Sequence, residues 1–105
     1  MTRAEVELRG DRYLLTVEGH AEGSVAVCAA VSAIVYALSG YVFNAAGHVK
    51  ALECNELRSG RARIECTADA SVGAAFRMAG IGLTQVARAY PLFLDARYRE
   101  EGFRP

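Results

Sequence analysis

Residues 4–19 read AEVELRGDRYLLTVEG, two alternating apolar–polar runs separated by a single glycine–aspartate step. Ala4, Val6 and Leu8 fall on one side of the first run, and Tyr13, Leu15 and Val17 on one side of the second. Alternation of period two sends successive side chains to opposite faces of a strand, and Gly10-Asp11 is a two-residue hairpin signal. A turn that tight sets Leu8 opposite Tyr13 and Val6 opposite Leu15. The large apolar side chains of both strands, read as 4–9 and 12–19, then share one face, which a slip of one residue would undo.

Beyond the hairpin and the loop Ala21-Glu22-Gly23, Ser24 is placed to cap a helix over 25–46. Val27, Val31, Ile34/Val35, Leu38 and Val42 keep helical spacing along it. Two further strands are expected over 49–57 and 61–68, joined by a three-residue loop, Arg58-Ser59-Gly60, with the glycine left-handed. That register places Leu52, Cys54, Ile64 and Cys66 on one inward face, with Cys54 opposite Ile64. Ser71 is the expected cap of a second helix, 72–89, with Val72, Phe76, Ala79, Leu83, Val86 and Tyr90 along one side. Gly80 and Gly82 each cost about 1 kcal/mol against alanine inside a helix, so their presence implies a close helix neighbour. Pro91 stops the helix, and residues 92–98 read as a closing strand. The order ββαββαβ predicts an α+β fold: a largely antiparallel sheet with two helices packed on one face.

The chain has 105 residues, 52% of them hydrophobic and 23% charged, without repeat or linker, so a single domain over 1–105 is expected. Twelve basic residues balance twelve acidic ones, whereas a duplex binder needs a basic excess; no direct nucleic-acid binding is expected. A high apolar fraction without net charge also argues against disorder. Cys28, Cys54 and Cys66 are odd in number and contain no CxxC pair, which suits neither a disulfide framework nor a zinc site. No signal peptide is visible in MTRAEVELRG, so the expectation is a reduced, cytoplasmic protein. Residues 23–49 contain no Asp, Glu, Lys or Arg, a run long enough to span a bilayer. Its many alanines, with Ser24, Ser32, Ser39 and Asn44, favour instead a helix buried on most sides of a compact core or dimer, and no membrane span is expected.

Chemistry concentrates in residues 19–33, GHAEGSVAVCAAVSA. His20 leaves the end of a strand, and Cys28 lies in the first turn of a helix, where unpaired amides and the helix dipole favour a thiolate. An imidazole close by can take the thiol proton, giving the pair that nucleophilic catalysis requires. The free amides at the helix start can hold the oxyanion of a tetrahedral intermediate. The competing reading is structural. A cysteine in an Ala/Val helix is most often core, and a histidine at a strand end is most often solvated. Spacing alone does not choose between the two. His48 takes the structural reading outright, with neither acid nor thiol beside it.

Gly19-His20-Ala21, followed across a glycine-containing loop by VCAAVSA at 27–33 and later by Tyr90-Pro91, resembles the ribosomal-processing cysteine protease family, Prp, over nearly the whole chain. The resemblance implies a homodimeric bacterial enzyme that removes an N-terminal extension from a large-subunit ribosomal protein. By position it implies His20 and Cys28 as the catalytic pair, with Gly19, Ala21, Glu22 and Ser32 as substrate-binding or orienting neighbours. Val25 stands where members usually carry Asp, and the segment 21–27 is shorter than their loop. The acid that orients His20 is left open between Glu18 and Glu22. The resulting expectation is a cysteine endopeptidase that needs no metal or cofactor. Its rival is a catalytically silent relative, a dimeric protein-interaction module in ribosome assembly.

Overall fold

In the computed structural model, residues 1–100 are described; positions 101–105 of the expected domain lie outside them. β1 (Thr2–Arg9) and β2 (Arg12–Glu18) pair antiparallel in the expected register, Leu8 with Tyr13 and Val6 with Leu15. Gly10 makes the turn at a φ of +61°, which glycine adopts without steric cost. Val6, Leu8, Tyr13, Leu15 and Val17 are all buried on the inner face.

α1 (Val25–Asn44) is capped as expected, with the Ser24 hydroxyl accepting the Val27 N–H at 3.2 Å. Val27, Val31, Val35, Leu38 and Val42 form its buried stripe. The core of the single chain does not bury the helix on most sides, since Val25, Tyr36 and Phe43 are exposed on it. α1 is long and apolar enough to cross a membrane, yet its valine stripe covers the sheet.

A short 3-10 turn leads into β3 (Val49–Arg58), which pairs antiparallel with β4 (Arg61–Ala68). Two expectations fail in this hairpin. Arg58 pairs directly with Arg61, so the turn is Ser59-Gly60 and not three residues. Register breaks between Val49 and Ala51 and between Leu52 and Cys54 set Cys54 opposite Glu65 and Asn55 opposite Ile64. Cys54 is consequently half-buried; Leu52 keeps Cys66 as its partner but is 46% exposed on the edge strand, while Ile64 and Cys66 remain in the core. An extra residue on one strand interrupts the inward–outward alternation, and such irregularities are common on edge strands such as β3.

α2 (Ala70–Ala89) is capped by Asp69, not Ser71: Asp69 Oδ1 accepts the Ser71 N–H at 3.0 Å and the Ser71 hydroxyl at 2.6 Å. The other carboxylate oxygen lies 2.7 Å from His48 Nδ1, so the fold does bring an acid to that histidine. Gly82 has the helix neighbour expected of it, since a Cβ there would stand 3.2 Å from Ile34 Cδ1 of α1. Gly80 does not; it faces the Tyr98 ring of β5 (Leu94–Glu100), which a Cβ would penetrate. Filling that space costs about 1–3 kcal/mol, more than the helix propensity an alanine would restore. The sheet order is β3-β4-β2-β1-β5, antiparallel except for the parallel pairing of β1 with β5. With both helices on its inner face, this is the ββαββαβ α+β fold.

Candidate active site

β2 and β4 run antiparallel with Glu18 opposite Arg61, so the end of β2 arrives beside the β3–β4 turn. There the chain bends at Gly19, whose φ is +90°. Its N–H donates to the Gly60 carbonyl at 2.9 Å, and a Cβ on it would stand 2.6 Å from the Met1 carbonyl oxygen. Conformation and space both demand glycine at 19. His20 is thereby laid against Gly60, close enough that a Cβ at that position would reach within 2.5 Å of its Nε2.

The return to α1 runs through Ala21, which is 2% exposed and anchors the loop in the core. The Ala21 carbonyl accepts the Ser24 N–H at 3.0 Å and is also the acceptor for the Cys28 thiol, at 3.7 Å. Cys28 itself is exposed. Its amide donates to the Ser24 carbonyl at 3.2 Å, and the Val27 amide is taken by the Ser24 hydroxyl. The expectation of free amides around Cys28 is therefore corrected. In an α-helix starting here, the N–H groups of Val25 and Ala26 are the first-turn donors without an intrahelical partner.

His20, Cys28, Gly19 and Ser32 line one groove of about 390 Å³. One wall continues along α1 through Val31, Val35 and Tyr36; the other is the hairpin turn, residues 57–62. Neither Ala21, which is buried, nor Glu22, which is exposed, is part of the groove's lining. Among the described residues, neither Glu18 nor Glu22 is hydrogen-bonded to His20, and Val25 is 87% exposed. No group of three His, Cys, Asp or Glu stands close enough to hold a metal ion, again among the described residues. The groove's lining includes a thiol and an imidazole, the groups that nucleophilic attack on an acyl carbon uses.

Sequence reading missed the hairpin wall. The strands were expected from the sequence, but strand order is a non-local property, and nothing in residues 57–62 announces that they stand beside His20.

No protein-family model and no curated protein matches the sequence. Solved structures do match. The ribosomal processing protease Prp from S. aureus, in complex with a covalently linked product peptide, superposes with a TM-score of 0.76 at 13% identity, covering 94% of this chain and 100% of that one. A second structure of the same protease, with a substrate peptide, gives a TM-score of 0.69 over the same shares, also at 13% identity. SMU.848 from Streptococcus mutans is 24% identical over 93% of each chain, with a TM-score of 0.68. At these identities the likeness is one of fold, and the fold is that of the Prp ribosomal processing protease, the family that the Gly-His-Ala and VCAAVSA segments resemble.

Proposed function

We propose that this chain is a cytoplasmic cysteine endopeptidase that removes an N-terminal extension from a bacterial large-subunit ribosomal protein. The observation that carries the proposal is the convergence of His20 and Cys28 on one groove. It gains support from the S. aureus protease of the same fold, captured with a covalently linked product peptide and with a substrate peptide.

In this reading His20 takes the thiol proton of Cys28, and the thiolate attacks the scissile carbonyl carbon. The tetrahedral intermediate collapses to a thioester as His20 returns the proton to the leaving amine. Water then attacks the thioester, His20 accepts its proton, and the thiol is regenerated with release of the acid product. Rotation of the Cys28 side chain exchanges its resting acceptor, the Ala21 carbonyl, for the imidazole. The amides of Val25 and Ala26 are the donors nearest to hand for the oxyanion. Ser32, one turn beyond Cys28, offers its hydroxyl to the peptide along the α1 wall. The active species is a homodimer, joined through the apolar cleft of about 700 Å³ between α1 and α2 that Ile34, Tyr41 and Met78 line.

Cleavage of an extension peptide from the host's own ribosomal protein tests this. Cys28→Ala should abolish it, and His20→Ala should slow it on the order of 10² to 10⁴ fold, the usual scale for losing a positioned general base. Both variants should keep the wild-type circular dichroism spectrum, because one loses a single sulfur atom and the other sits at a strand end. Undiminished cleavage by Cys28→Ala overturns the protease reading and leaves the dimeric interaction module.

A further inference from the structure

We propose that Gly60, at the tip of the β3–β4 hairpin, is the positioning residue for His20, supplying by contact the orientation that a carboxylate supplies in an acid-assisted Cys–His site. The inference rests on the endopeptidase reading and names the element that makes its base competent.

Three observations meet at this point. The strand end that carries His20 is tied to the turn by the Gly19 N–H donating to the Gly60 carbonyl at 2.9 Å. The imidazole then rests on the bare Cα of Gly60: a Cβ there would lie 2.5 Å from Nε2, 3.0 Å from Cε1 and 3.3 Å from Cδ2. Among the described residues no carboxylate is hydrogen-bonded to His20. An exposed imidazole held only by its own torsions visits several staggered rotamers, and a base must be in place before proton transfer. A surface against one end of the ring removes the rotamers that cross it. The surface is held in place, because the Arg58–Arg61 pair closes a two-residue turn with Gly60 in it, and the Gly60 carbonyl accepts the Gly19 N–H.

Glycine at 60 answers two separate demands. Its φ of +73° is a left-handed conformation, and the space beside it is filled by His20. Gly10, in the turn between β1 and β2, has a φ of +61° and nothing within 4 Å of a Cβ. It shares the first demand without the second, so Gly10→Ala reports the cost of backbone strain alone.

The experiment compares Gly60→Ala with Gly10→Ala in the full chain. Both should lose a similar, small amount of thermal stability. Only Gly60→Ala should lower kcat, by about tenfold or more, while KM stays within about twofold of wild type, the signature of a misplaced catalytic group. Only Gly60→Ala should move the ring-proton NMR resonance of His20. A Gly60→Ala variant with wild-type kcat and an unmoved His20 resonance overturns the proposal, as does an equal loss of kcat in both variants. If the wild type cleaves nothing while Gly60→Ala still moves the His20 resonance, the endopeptidase reading fails and the contact stands.

Discussion

Cys66 is 1% exposed beneath the helices, and burial, helped by Glu53 and Glu65, pushes its thiol up to about 11. An unfolded chain gives up that proton near its ordinary value of 9.0, so the unfolded state binds fewer protons above it. Stability from this group is complete below that pH and declines as pH rises towards 11. Iodoacetamide at neutral pH should therefore modify exposed Cys28 first, half-buried Cys54 more slowly, and Cys66 only after denaturation. Labelling of Cys66 in the folded protein, or of Cys54 ahead of Cys28, contradicts this order. At this scale the sequence was informative wherever a residue's setting is local. The strand end before His20 and the helix start before Cys28 were legible because each is marked locally, by Gly19 and by Ser24. Cys54 was misplaced because a break in register is invisible to alternation. Gly60 was missed because its neighbour arrives from another strand.

α2 shows the same division at the level of an element. Its existence and inner side followed from apolar spacing, with Val72, Phe76, Ala79 and Leu83 all buried as the period requires. Its cap did not, because Asp69 and Ser71 are both good capping residues by type. Asp69 takes the cap, and its other oxygen meets a partner 21 residues away, His48. The Ser71 hydroxyl bond, followed by that with His48, lowers the Asp69 carboxyl to about 2 from an ordinary 3.8. A depressed carboxylate contributes stability above its unfolded value and loses it as pH falls through the folded one. Urea midpoints measured at successive pH values should thus fall between about pH 4 and pH 2, and less steeply in Asp69→Asn, which can cap but not titrate. Equal slopes for the two proteins would show that this carboxylate carries none of the acid sensitivity.

For the whole molecule, the class and element order were legible, whereas the sequence β3-β4-β2-β1-β5 across the sheet was not. Hairpins announce themselves through a turn. The pairing of the first strand with the last, and of β2 with β4, is settled by which arrangement lets two helices cover one face. The helices cover the sheet and leave their own outer sides open, with Met78 72% exposed beside Tyr41 in the apolar cleft. Sedimentation equilibrium should accordingly find a dimer at micromolar concentration, and Met78→Glu should shift it to monomer without loss of fold. A wild type that sediments as a folded monomer at that concentration removes the proposed interface.

Among the described residues, every one that lines the groove of His20 and Cys28 lies between Thr2 and Ala62. α2 and β5 come afterwards and meet the rest of the chain as a buttress, α2 against α1 and the sheet, β5 against β1 alone in the ladder. Inheritance can therefore act on the two portions separately. Substitutions in α2 and β5 reach the chemistry mainly through stability or self-association, whereas Phe93 between them accepts the Thr2 N–H and stands against Gly23. A lineage adapting to heat or to a new oligomeric form therefore has those two elements to rewrite. A lineage whose target peptide drifts must answer in the earlier portion, where the tolerated changes are fewer because the same residues also build the sheet.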